Sequence, residues 1–196
     1  MSFEVVSEKE WGKALKQRLN SGESTYITPY EELVDLIPRR STKFSAGYDF
    51  RSPVSINCVA GEVYTIPTGF KCNFDTLGIN TIEQKCDIDH WDVKEVELYK
   101  LFRPAKNSFL ALYPRSSYGL KYGFRLLNTT GIIDYDYYAN PDNEGHIMVA
   151  FTSMKNFELN VGDKFCQGIF QLYATDMNEL TDQFVERVGG IGSTGK

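Results

Sequence analysis

The hydrophobic pattern divides the chain into a short helical start and a long body of strands. Trp11, Ala14, Leu15 and Leu19 recur at helical spacing, and Ser7 followed three residues later by Glu10 is a capping-box pattern. The pattern predicts a helix that ends at Asn20-Ser21-Gly22, with Lys9, Lys13, Lys16 and Arg18 on its solvated face. Beyond it the period changes. Short β-branched and aromatic runs alternate with Pro, Gly and Asn at the spacing of a β-barrel or jelly roll. The expected strands are Tyr48–Phe50, Val63–Ile66, Phe70–Phe74, Phe109–Tyr113, Phe124–Leu127, His146–Phe151 and Lys164–Tyr173. The run Gly131-Ile132-Ile133-Asp134-Tyr135-Asp136-Tyr137-Tyr138 reads as a strand or hairpin. Its glycine suggests a tight backbone approach or turn, and Asp134 and Asp136 fall on the same face of a strand.

A length of 196 residues suggests one domain with ample chain for a core. The net charge of −5, with no dense Lys/Arg stretch, argues against broad nucleic-acid binding but leaves room for a small phosphorylated ligand. No apolar run approaches the roughly 20 residues of a membrane span, and no secretory signal precedes Trp11. Cysteines 58, 72, 86 and 166 form no CxxC pair and read as reduced, buried thiols of a cytosolic protein. His90 and His146 alone argue against a histidine-dependent triad or a zinc site.

Several short stretches carry candidate chemistry. In Ser45-Ala46-Gly47-Tyr48-Asp49-Phe50 the small residues permit close packing, and Asp49 could hold a metal-bound water; the plain alternative is a turn into a strand. In Tyr113-Pro114-Arg115-Ser116-Ser117-Tyr118-Gly119, fork-shaped donors from Arg115 and hydroxyls from Ser116 and Ser117 suit phosphate oxygens, against a surface Arg beside a polar turn. Gly162-Asp163-Lys164-Phe165-Cys166-Gln167-Gly168 is a turn entering a strand on which Gln167 could donate to phosphate. Arg187 to Lys196 is no P-loop, because its Lys is the last residue with no helix to follow. Its backbone N–H groups, with Arg187, Ser193 and Thr194, suit a flexible cover for a polyphosphate; the plain alternative is a disordered Gly-rich linker. Asp134, at the mouth of a hairpin, could bind a flat polar ring and activate a water; the plain alternative is a Tyr/Asp-rich turn.

In this order the stretches resemble the five motifs of the trimeric deoxyuridine triphosphate nucleotidohydrolases, the dUTPases. Ser45 to Phe50 is similar to the first motif, Pro114 to Gly119 to the second and Leu127 to Tyr137 to the third. Gly162 to Gln167 is similar to the fourth and Arg187 to Gly195 to the fifth, with Ile66-Pro67-Thr68-Gly69-Phe70 fitting as a connector. The resemblance implies an all-β jelly roll of the dUTPase type, assembled as a homotrimer whose active sites take motifs from three chains. It implies cleavage of dUTP to dUMP and pyrophosphate, with Asp134 as the base that activates water. Mg²⁺ would bridge the phosphates, and Asp49 would orient a metal-bound water. Arg115, Ser116, Ser117 and Gln167, with Arg187, Gly192, Ser193 and Thr194 of the tail, match phosphate-binding positions. Asn128, Gly131, Ile132 and Ile133 match the uracil edge, Tyr137 packs under the sugar, and Ile191 lies over the base.

The chain also departs from the family pattern. Ile191 stands where an aromatic usually stacks, and Ser117 where Gly is frequent. The fifth motif is one residue short after Arg187. An insertion at 75–107 carries Asp87-Ile88-Asp89-His90-Trp91-Asp92. These features divide the chain into an N-terminal helical extension (1–24), a β domain (25–182) and a flexible tail (183–196). They fit a phage or mobile-element member, in host cytoplasm if phage-encoded. Two other readings carry different chemistry. A dCTP deaminase of the same superfamily would need an acid/base group beside the base, which the third motif does not show. A nucleotide-responsive binding protein would use the insertion to recruit a regulatory partner.

Overall fold

The computed structural model describes residues 1–19, 24–74, 107–175 and 189. The tail positions Arg187, Ile191, Gly192, Ser193 and Thr194, Cys86, and the insertion up to residue 106 lie outside the described residues. Strand β1 (Ser2–Val5) leads into helix α1 (Glu8–Arg18), which is followed by β2 (Ser24–Ile27), a 3-10 helix (Tyr30–Leu36) and β3 (Arg39–Arg40). Then come β4 (Tyr48–Arg51), β5 (Val54–Cys58), β6 (Val63–Pro67) and β7 (Phe70–Asn73). The second half comprises β8 (Ser108–Pro114), helix α2 (Ser116–Tyr122), β9 (Arg125–Leu126), β10 (Gly131–Ile133), a 3-10 turn (Tyr135–Tyr137), β11 (Met148–Thr152), β12 (Phe157–Leu159) and β13 (Lys164–Leu172). No helix among the described residues is long and apolar enough to cross a membrane.

The strands form antiparallel sheets ordered β10-β8-β13-β4-β3, β6-β11-β9, β12-β5-β2 and β1-β7. Their inner faces meet in one apolar cluster in which Phe50, Phe74, Phe151, Phe165, Ile66, Leu110 and Leu159 are almost fully enclosed. The period of two is plain in β5, where Val54, Ile56 and Cys58 point inward while Ser55 and Asn57 face out. Cys58, Cys72 and Cys166 are free and buried, as the sequence predicts; burial pushes the Cys58 and Cys72 thiols up to about 12.

Helix α1 corrects one expectation in detail. Ser7 is the N-cap, and its hydroxyl accepts the Glu10 N–H at 3.2 Å, which is half of a capping box. The other half is absent, because the Ser7 N–H donates to Glu144 Oε2 at 3.1 Å and the Ser7 hydroxyl donates to Glu144 as well. A carboxylate from across the fold thus stands at the positive end of the helix. Glu10 turns inward instead, its Oε1 lying 3.2 Å from Nδ1 of His146.

His146 is fully enclosed, and its Nε2 accepts the Gly69 N–H at 2.9 Å. Accepting there requires a neutral ring with its proton on Nδ1. Burial accordingly lowers the imidazole from 6.5 to about 3. The unfolded chain binds a proton near pH 6.5 that the folded chain refuses, so this group destabilises the fold as pH falls from 6.5 toward about 3. The slope is at most about 1.4 kcal/mol per pH unit. Glu10 acts with opposite sign: burial, with Glu144 and Asp142 nearby, raises its carboxyl, so the folded state gains that proton first and part of the loss is offset. Urea unfolding should show stability declining between pH about 7 and about 5.5, and His146→Gln should flatten the decline.

Candidate active site

The phosphate candidates meet at one end of the five-stranded sheet. Gln167 on β13 lies between Asp49 of β4 and Tyr113 of β8 in the strand register. Just beyond Tyr113 and Pro114, Arg115 is the N-cap of α2, and its N–H donates to Phe165 O at 3.1 Å. The register of β13 slips between Lys164 and Cys166. Residues three apart point to opposite faces of a regular strand, so this bulge is what sets both Lys164 and Gln167 on the face of Asp49.

Asp49 is the hub of this end. Its side chain is 1% exposed, yet one oxygen accepts from Arg115 Nη1 at 2.5 Å. The other accepts from Ser41 Oγ at 2.5 Å and lies 3.2 Å from Lys164 Nζ. Burial pushes this carboxyl up, but the Ser41 hydrogen bond and the two cations outweigh burial and hold it below the usual carboxylate range. Gly47 is small for a visible reason: a Cβ there would run into Oε1 of Gln167, whose Nε2 is 3.4 Å from Pro114 O. Ser116 and Ser117 are exposed on the first turn of α2. Chemically, this end offers a guanidinium, an ammonium, an amide and two hydroxyls to an anion.

The third stretch differs from its sequence reading. Strand β10 stops at Ile133, and Asp134 caps the 3-10 turn Tyr135–Tyr137. Asp134 and Asp136 are therefore not alternate residues on one strand face; Asp134 is half-buried and Asp136 exposed. Nor is the segment before Gly131 a hairpin, since β9 pairs with β11 while β10 pairs with β8, and residues 127–130 cross from one sheet to another. Thr129 takes φ 63°, a strained conformation for a β-branched residue, with Asn128 exposed beside it. The expected close approach at Gly131 is real, because a Cβ would come within 3.1 Å of the Leu112 side chain. Ile132 is 51% exposed and Ile133 buried. Tyr137 is 6% exposed, its hydroxyl donating to His146 O at 3.1 Å and accepting from Asn143 Nδ2 at 2.8 Å.

Within one chain the two groups are apart. Ile133 pairs with Leu110, and the five residue steps from Leu110 to Arg115, just past the end of β8, span about 17 Å of extended chain. Sequence reasoning missed Ser41 and the part played by Lys164, although Lys164 stood inside the quoted fourth stretch. It also missed α2, whose signals were Tyr118 and Tyr122 one turn apart and Gly123, a left-handed C-cap at φ 64°. Asp163 fixes that helix to the β13 turn, accepting from the Tyr118 hydroxyl at 3.0 Å and from Asn160 N–H at 2.9 Å.

Residues 104–195 match the family model described as dUTPase. The chain is 34% identical over 174 residues to the deoxyuridine 5'-triphosphate nucleotidohydrolase of Lactococcus lactis subsp. lactis, covering 86% of this chain and 94% of that protein. The enzyme of the same name from Shewanella sp. (strain W3-18-1) is 26% identical over 163 residues, covering 81% and 84%. In structure the chain is similar to the dUTPase from Streptococcus mutans, with a TM-score of 0.57, 26% identity and coverage of 90% of this chain and 98% of that one.

Proposed function

The chain belongs to the dUTPase family, and from that membership we propose that it hydrolyses dUTP to dUMP and pyrophosphate with Asp134 as the base. Asp134 takes a proton from water as the water oxygen attacks the α-phosphorus in line. The bond from that phosphorus to the bridging oxygen breaks, and pyrophosphate leaves with the electron pair. Arg115, Ser116, Ser117 and Gln167 hold the phosphates and oppose the developing charge. The tail residues Arg187, Gly192, Ser193 and Thr194 would cover them.

The observation that carries this reading is the gathering of Arg115, Gln167 and Lys164 around Asp49 at one sheet end. The role best supported for Asp49 is to fix Arg115. Among the described residues no set of three His, Cys, Asp or Glu side chains could hold a metal ion. Asp49 accepts from Arg115 and Ser41 and lies beside Lys164, which leaves its carboxylate room for one further donor, such as a metal-bound water. The family's Mg²⁺ would travel on the triphosphate, where it would neutralise charge.

The distance from Arg115 to Asp134 supports a site completed by neighbouring copies, as in a homotrimer. The uracil edge would meet Asn128 and the backbone of Gly131 to Ile133, where cytosine leaves buried groups unpaired at about 1–3 kcal/mol each. Tyr137, with its hydroxyl turned into the core, has only ring surface to offer the sugar, and a ribose 2′-hydroxyl would find no partner there.

Pyrophosphate release measured across dUTP, dCTP, dTTP and UTP tests the reading. Release confined to dUTP is expected, and ammonia from dCTP would overturn it in favour of deamination. Gly47→Ala should displace the Gln167 amide, the far end of a flexible side chain. Turnover should then fall about ten-fold or more, while the thermal midpoint moves little.

A further inference from the structure

The unit formed by β1 and α1 is fastened, contact by contact, to the segment that follows Asp134. Glu4 Oε2 accepts from the Tyr138 hydroxyl at 2.7 Å, and Ser7 donates twice to Glu144. Lys13 Nζ donates to Asp142 O, Glu10 meets the His146 ring, and Trp11 lies 6.2 Å from that ring. All these partners fall between Tyr138 and His146. The same segment grips Tyr137, because His146 O and Asn143 Nδ2 hold its hydroxyl and Asn140 Nδ2 donates to its carbonyl at 2.8 Å.

We propose that this N-terminal unit, through Glu10 and Glu4, positions the Asp134–Tyr137 turn for deoxyribose recognition, so that residues 2–19 set the discrimination between dUTP and UTP. The route is short: Glu10 orients the His146 ring, and the carbonyl of His146 holds the Tyr137 hydroxyl. Docking alone does not require it, since buried Trp11 and Ala14 already supply apolar contact. Glu10 gives up its usual place in the capping box to Glu144 and goes inward to a histidine whose Nε2 is already taken by the Gly69 N–H, an arrangement suited to fixing a ring. A shift of about 1 Å in a group that packs against substrate is enough to change rates up to about a hundred-fold. The proposal rests on the reading that Tyr137 packs against the sugar.

The test compares kcat and KM for dUTP and UTP in the assembled enzyme carrying Glu10→Leu, Glu10→Gln, Glu4→Ala or Tyr137→Ala. Glu10→Leu should lower the dUTP:UTP ratio of kcat/KM about ten-fold, and Glu10→Gln, which keeps an acceptor for Nδ1–H, should restore it. Glu4→Ala removes a partner at the rim and should lower the ratio in the same direction, which serves if Glu10→Leu does not fold. An unchanged ratio in these variants, with only the thermal midpoint reduced, would overturn the proposal while a lowered ratio in Tyr137→Ala left the sugar reading intact. An unchanged ratio in Tyr137→Ala would remove the sugar reading, and this proposal with it.

Discussion

Asp134→Asn will lower dUTP turnover by about a hundred- to ten-thousand-fold, because an amide of the same shape cannot take a proton from water. The loss should appear in kcat with little change in KM, since the substitution keeps the size of the group and removes only an interaction of the transition state. The fold should survive: Asp134 is half-buried, and its side chain does not cap the turn that it starts. Pyrophosphate release at saturating dUTP and Mg²⁺, with the thermal midpoint measured alongside, decides the matter. Substantial turnover in a folded variant would remove Asp134 as base.

The second large effect is a recovery. Arg115→Ala should by itself be nearly inactive and lose about 1–3 kcal/mol of stability, because Asp49 keeps Ser41 and Lys164 but loses one of its two cations. When Arg115→Ala and Asp134→Asn chains are mixed in equal amounts and reassembled, activity should return. If each site draws Arg115 from one copy and Asp134 from another, about a quarter of the sites in random trimers carry both intact residues. If both come from one chain, none do. Mixed oligomers verified by mass that stay inactive would place the whole site within a single chain.

Local pattern and tertiary arrangement were legible in the sequence to different degrees. Helix α1 was visible because its spacing and cap are local, and β13 because nine residues leave a long β-prone run. Strand β5 was missed although Val54, Ile56 and Cys58 alternate with polar residues, because Ser and Asn at the outward positions resemble a loop. Strand β1 has only four residues and is a strand by virtue of β7, some 70 residues away. The same limit explains the site. Arg115, Asp49 and Gln167 could each be picked out by residue type and resemblance, but the hub formed by Ser41, Lys164 and a β-bulge depends on strand register. The capping box failed for a like reason, since a competing carboxylate arrives from residue 144. A period-of-two reading of Asp134 and Asp136 assumed that the strand continued, whereas the chain turns at Asp134.

The fastening of α1 has a consequence for the order in which the protein acquires its shape. Ser7 and Glu144 are 137 residues apart in the chain, and Glu10 and His146 are 136 apart. At a synthesis rate of 5–20 residues per second, Ser7 waits roughly 7–27 s on the ribosome before Glu144 exists to meet it. During that interval Trp11 has the near part of its cover, Val6 and Leu33, but not the His146 ring, and an isolated helix of this length is marginal in water. The segment made early is therefore among the last to settle, and its arrival closes a fold whose other half must already be in place.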